Sequence, residues 1–84
     1  GRVMTIASLT GIDAEAIEFG VEEHSRIAHK ALKDVHFPKQ GVVGTILRGD
    51  EIILPRGQDV LLPGDDVIVF AMPEAIPEVE KLFS

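Results

Sequence analysis

Three histidines, fourteen acids and eight bases are the side chains from which chemistry could be built in this 84-residue chain, and no cysteine joins them. His29 and His36 stand seven positions apart. Even on one helix that spacing separates their Cα atoms by about 10.5 Å, too far to share a metal ion directly. His24 lies ahead of that segment, so all three read as solvated surface histidines. A hydrolytic triad needs Ser, His and an acid converging in a cleft. Ser8, Ser25 and Ser84 have no nucleophile-elbow context, and so small a domain has little room for the cleft. The residues thus point away from an enzyme. Asp13, Glu15 and Glu18 cluster in sequence, but strand alternation puts Glu15 and Glu18 on opposite faces, so they read as solvated edges. Asp65 and Asp66 read as turn residues, with Asp65 bonding its own backbone. Lys39, Arg48 and Arg56 remain, either as a small positive spot in an acidic domain or as surface salt-bridge partners.

The elements that would position these groups are short. Val42-Val43-Gly44-Thr45-Ile46-Leu47 and Glu51-Ile52-Ile53-Leu54-Pro55 are β-branched runs folded back at Arg48-Gly49-Asp50, which predicts a β-hairpin with a glycine supplying positive φ. That makes the Arg-Gly-Asp tripeptide a turn and not an adhesion motif. Ile17, Phe19 and Val21 alternate with Ala16, Glu18 and Gly20, predicting a half-buried strand over Glu15 to Val21. Ser25 stands where it could cap a helix, and Ile27, Ala28, Ala31, Leu32 and Val35 recur at three- and four-residue spacing, predicting an amphipathic helix that Pro38 ends. Val60-Leu61-Leu62 reads as a further strand. Pro63-Gly64-Asp65 then turns the chain into the buried strand Asp66 to Ala71. Pro73 and Glu74 open a closing helix with Ala75, Ile76, Val79, Leu82 and Phe83 as its apolar stripe. Val3 to Thr10 fits a short helix or a linker and is taken as a connector. The order β-α-β-β-β-α predicts an α+β domain, a four-stranded, mostly antiparallel (mixed) sheet with helices packed on it.

Composition bounds the function. A single domain of 9.1 kDa buries only about 60–65% of its unfolded surface, so self-association is the expected extra support. A net charge of −6 and a pI near 4.8 argue against nucleic acid as a partner, since a phosphate backbone calls for clustered Lys and Arg. No apolar run reaches the roughly 18–20 residues of a membrane span, and the start lacks a signal-peptide layout. Absence of cysteine fits the cytosol. Opening on Gly, the chain is expected to be an excised piece of a longer protein, with 1–12 a linker from an upstream domain and 13–84 the domain proper.

The ordered set Ala14-Glu15-Ala16-Ile17-Glu18, Ser25-Arg26-Ile27-Ala28, Leu32, Phe37-Pro38, Gly41-Val42-Val43-Gly44, Ile46, Arg48-Gly49, Ile52, Pro63-Gly64-Asp65, Val67-Ile68-Val69-Phe70 and Val79-Glu80-Lys81-Leu82-Phe83 resembles the RCK C-terminal domain, also called TrkA-C. The likeness runs over about residues 14 to 83. Thr5-Ile6-Ala7-Ser8-Leu9 resembles the segment joining the nucleotide-binding half to the C-terminal half in the TrkA-like regulatory subunits of Trk-type potassium uptake.

The resemblance implies a cytoplasmic, non-enzymatic regulatory module, peripheral to the inner face of the cell membrane through a potassium transporter subunit. It also implies a homodimer and, in some relatives, a small nucleotide effector between the two copies. NAD(H) or ATP would belong to the Rossmann half, and this chain carries no G-x-G-x-x-G after a strand. Gly41-Val42-Val43-Gly44 reads instead as close backbone packing. Acidic junctions in some calcium-gated relatives bind divalent cations, but the faces of Glu15 and Glu18 oppose that here, and no metal is expected. In relatives that bind cyclic di-AMP, the pocket lies near the end of the helix and the following strand. This neighbourhood is Phe37, Pro38, Lys39, Gln40, Val42 and Val43, to which Arg48 and Arg56 add positive charge. Phe37-Pro38 stands where those relatives tend to place an arginine. The alternative reading is a small-molecule, nucleotide-sensing domain appended to another ion transporter or antiporter.

Overall fold

The fold is described from a computed structural model, covering residues 3–9 and 11–84. Among the described residues there are five strands, β1 Val3–Ser8, β2 Glu15–Gly20, β3 Gly41–Arg48, β4 Glu51–Ile53 and β5 Asp66–Ala71. They form one sheet in the order β1-β2-β5-β3-β4, with every neighbouring pair antiparallel. A 3-10 turn at Pro73–Ala75 leads into the one α-helix among the described residues, α1 Ile76–Leu82. The class is α+β as expected, but the membership of the sheet differs in two places. Val3–Ser8, taken as a connector, is an edge strand paired with β2. The run Val60-Leu61-Leu62 joins no strand of the sheet and makes only isolated bridges, Leu61 with Ala28 and Val60 with Ala31.

The helix expected from Ser25 to Val35 does not form. That segment is a series of turns ending in a 3-10 turn at Leu32–Asp34. Two features break the helix. His29 holds a φ of +68°, a left-handed geometry a right-handed helix cannot include. The amides of His29, Leu32 and Lys33 donate to the carbonyls of Leu61, Asp59 and Gly57, at 2.8, 2.9 and 2.8 Å, so the 57–61 loop takes the donors that a helix would use internally.

The hairpin is as expected. Gly49 (φ +59°) alone of the two turn residues has positive φ, the pattern of a type II′ turn, which favours glycine first. Pro63 and Gly64 (φ +94°) occupy the central positions of the turn entering β5, where a type II turn needs positive φ at the second.

Alternation assigns the inner face. Ile17 and Phe19 of β2, Ile46 of β3, and Val67, Val69 and Ala71 of β5 are all buried, and Val79 of α1 and Phe83, which caps it, cover them. Phe83 stacks on Phe19 with ring centroids 4.5 Å apart and planes 5° from parallel. A buried aromatic pair adds about 0.5–1.5 kcal/mol beyond its area burial. The carbonyls that end α1 are closed by the loop after β2 rather than by water: Ile27 N–H donates to Leu82 O, Arg26 N–H to Ser84 O and the Ser25 hydroxyl to Phe83 O. Ser25 was expected to cap a helix start. It is instead buried, and its oxygen also accepts the Glu22 N–H at 3.0 Å.

Candidate functional site

Between the segment that follows the 3-10 turn and the β3–β4 hairpin lies a recess of about 270 Å³. Its apolar surface comes from Leu32, Phe37, Val42, Val43 and Pro55, and Gly41 and Gly57 complete it. Gly41 admits the Phe37 ring, whose Cε2 lies 3.1 Å from where a Cβ would stand. Gly57 does the same for Lys33, whose Cβ is 3.3 Å from that point. Both glycines thus let side chains of the recess sit directly on backbone, the close packing expected of Gly41. Lys33 and Arg56 line the recess as well, and no acid does. Among the described residues neither cation has an ion-pair partner. The Arg56 backbone is pinned by its N–H donating to Asp59 Oδ2 at 2.6 Å, leaving the guanidinium exposed. Apolar walls with two unpaired cations suit a planar, anionic small molecule.

Of the residues singled out from sequence, Phe37, Val42, Val43 and Arg56 come together here. Pro38, Lys39 and Gln40 open instead into an adjoining hollow of about 570 Å³ that they share with His36, Phe37, Glu74 and Glu78. Lys39, Gln40 and Val42 also border a third hollow, of about 220 Å³, beside Phe70 and Met72. Arg48 lines none of these. It is bound to Asp65, and a positive spot of Lys39, Arg48 and Arg56 therefore does not assemble. Lys33 takes the place beside Arg56. Its role was hidden because a helix over 25–35 would have put it on a solvated face. The signal was Gly57, a glycine in the loop that meets it.

Asp65 is buried, and its carboxylate accepts Arg48 Nε and Nη2 and the Leu62 N–H. Burial alone pushes this carboxyl up. The hydrogen bonds from Arg48 and Leu62, with the Arg48 charge, outweigh it and hold the group below its ordinary value. The same hydrogen bond raises the Arg48 guanidinium further. Asp65, expected to bond its own backbone, instead accepts the Leu62 N–H three residues earlier, and Arg48 is a salt-bridge partner. His29 Nε2 lies 2.7 Å from Glu23 Oε2, both side chains exposed. Among the described residues no three His, Cys, Asp or Glu side chains gather closely enough to hold a metal ion, and no helix is long and apolar enough to cross a membrane.

An antiparallel sheet covered on one face by a short helix, with a cation-lined recess beside the β3–β4 hairpin, defines a small α+β domain. Residues 16–84 match the TrkA-C domain family, and the chain belongs to it. It is 42% identical over 81 residues to the Trk system potassium uptake protein TrkA homolog 1 of Methanosarcina mazei, covering 96% of this chain and 18% of that protein. It is 37% identical over 82 residues to the Trk system potassium uptake protein TrkA homolog of Archaeoglobus fulgidus (98% and 19%). With the Trk system potassium uptake protein TrkA of Haemophilus influenzae the identity is 32% over 87 residues (99% and 19%). The chain thus spans about a fifth of the length of these curated relatives. A solved structure described as an RCK domain with cda superposes with a TM-score of 0.70 at 23% identity, over 82% of this chain and 97% of that one, which shows a shared fold.

Proposed function

We propose that this chain is the regulatory, non-catalytic module of a Trk-type potassium uptake system. In this reading two copies pair, an anionic nucleotide effector enters the recess at Phe37, Val42, Val43, Lys33 and Arg56, and the resulting movement is passed to a membrane potassium transporter subunit. Pro38, Lys39 and Gln40, beside the recess, bound the effector's far end. Arg48 has no part in effector binding and serves the fold. NAD(H) or ATP is assigned to a Rossmann half elsewhere in the protein, and the domain works in the cytoplasm at the inner face of the membrane. The observation that carries the proposal is the pair of unpaired cations over an apolar recess in an otherwise acidic chain of the TrkA-C family.

Thermal unfolding against cyclic di-AMP, cyclic di-GMP, ATP, ADP and NADH tests it. A ligand at about 100 times its Kd adds roughly 2.7 kcal/mol. At this size each 1 kcal/mol moves Tm by about 4–8 °C. The expected result is a rise of about ten degrees or more with one nucleotide, lost in Lys33→Ala and Arg56→Ala. A flat panel would remove the effector from this domain.

A further inference from the structure

Of the eight residues of β3, only the last three are paired on the hairpin side. Ile46, Leu47 and Arg48 stand opposite Ile53, Ile52 and Glu51 of β4, while β5 runs along the other margin. The ladder stops at Ile53 for local reasons. The Thr45 hydroxyl donates to the Ile53 carbonyl at 3.1 Å, and Pro55 has no N–H with which to continue the pairing. Among the described residues no strand lies beside 41–44 on this margin, which at about 3.3 Å per residue leaves roughly 13 Å of β3 open. The recess at Phe37 runs along this open edge. Gly41, Val42 and Val43 of β3 line it, and so do Pro55, Arg56 and Gly57, the chain past the end of β4.

An open strand edge beside an apolar recess is a template for one more strand. We propose that the 41–44 edge of β3 docks an extended segment of a partner protein, rich in alternating acidic and apolar residues, which joins the sheet where β4 has ended. The main chain of the segment bonds alternate N–H and C=O groups of β3, and every second side chain turns toward Leu32, Phe37 and Val43. Charge selects the other side chains. Lys33 and Arg56 are exposed and have no ion-pair partner among the described residues, and no acid lines the recess. An acidic segment therefore meets two cations, and a basic one meets no counter-charge. The proposal goes beyond the effector reading and rests on it for one consequence alone: both occupants use Phe37, Lys33 and Arg56, so a bound nucleotide displaces the segment.

Fluorescence anisotropy of a labelled, end-blocked peptide of alternating Glu and Val, titrated with the 84-residue chain, tests the site. A Lys-Val peptide of equal length reverses the charge. Two further versions of the Glu-Val peptide, N-methylated on every Val or on every Glu, keep the charge and remove the donors along one edge or the other. The expected result is saturable binding of the Glu-Val peptide, none of the Lys-Val peptide, and loss of binding in one of the N-methylated pair. Kd is expected to rise about tenfold in Lys33→Ala and in Arg56→Ala, and to stay unchanged in Lys81→Ala, an equal loss of charge on α1 outside the recess. Amide exchange at Val42, Val43 and Gly44 should slow when the peptide is bound. Binding that survives both N-methylations overturns strand addition, and equal weakening in Lys81→Ala overturns the recess as its place. No binding of the Glu-Val peptide overturns the proposal outright. The effector reading is judged apart: a nucleotide that raises Tm where this peptide fails to bind leaves that reading standing alone, and a peptide that binds while no nucleotide raises Tm does the reverse.

Discussion

Arg48 and Asp65, 17 residues apart, meet in a two-pronged contact: Nε donates to Oδ1 at 2.9 Å and Nη2 to Oδ2 at 2.8 Å. The second nitrogen also donates to the Val60 carbonyl at 3.0 Å. One guanidinium thus ties the end of β3 to the 60–65 segment, which has no sheet partners of its own. Removing it strands a buried carboxylate, at 3–5 kcal/mol for a fully buried pair. The Arg48 side chain is 37% exposed, so Arg48→Met is expected to cost about 2–3 kcal/mol after allowing for solvent screening. Asp65→Asn leaves a neutral group and should cost less, about 1–2 kcal/mol. Urea unfolding gives the ordering, and equal losses would mean the charge contributes nothing.

Acid should dissolve the same contact. The folded Asp65 carboxyl lies below its ordinary value, so on acidification the unfolded chain takes up its proton first. The contribution is complete above the ordinary carboxylate range, near pH 4, and is lost as pH falls through the lower folded value. The Tm gap between the wild-type chain and Asp65→Asn is expected to be constant from pH 7 to about pH 5 and to close below pH 4. A gap unchanged to pH 2.5 would remove the ionic contribution.

Ser25→Ala deletes a hydroxyl that serves two backbone groups, through a buried bond to the Phe83 carbonyl and a part-buried one from the Glu22 amide. Each orphaned group costs about 1–3 kcal/mol where water cannot replace the bond. A loss of about 2 kcal/mol is expected, with faster hydrogen exchange at the Ile27 amide, which shares this junction through Leu82 O. Exchange unchanged at Ile27 would show that the loop holds the helix end without the serine.

Gly44→Ala sets a methyl against the Phe70 ring and also meets the Ile68 carbonyl at 3.3 Å. The ring must swing away, at an expected cost of about 1–2 kcal/mol for an overpacked site. Most of that cost should vanish in the Phe70→Ala background, where the two changes couple. Additive losses would mean the backbone at this irregular point of β3, and not the ring, excludes a side chain.

Legibility followed where the backbone hydrogen bonds go. The β3–β4 hairpin, β2 and β5 could be read because alternation and turn glycines act over a few residues, and α1 because its apolar stripe is the one that reaches the sheet. The 25–35 segment misled because Ile27 and Ala28 are buried, and Leu32 and Val35 partly so, for a reason other than a helix: the segment is laced to 57–61 by backbone bonds that leave no trace in periodicity. Val3–Ser8 shows no alternation of its own, and its pairing is fixed by β2. At the recess, the resemblance singled out Phe37, Val42 and Val43 and charge singled out Arg56, and the structure brings these four side by side. Lys33 was overlooked with the mistaken helix, and of the two readings open for Arg48, positive spot or salt-bridge partner, the structure shows the second, with Asp65 as a partner that looked like a turn residue alone.

The loop after β2 is closed by residues 82–84, and the Ser25 hydroxyl finds its acceptor 58 positions away. On the ribosome, a chain made from its N-terminal end has Ile17 and Phe19 in hand long before β5 and α1 exist to cover them. The nascent domain therefore stays open, Ile17 and Phe19 uncovered, until Phe83 has left the exit tunnel, and closure comes in one late step instead of piecemeal. A chaperone that reads exposed aromatic segments would hold the domain until that turn of helix docks.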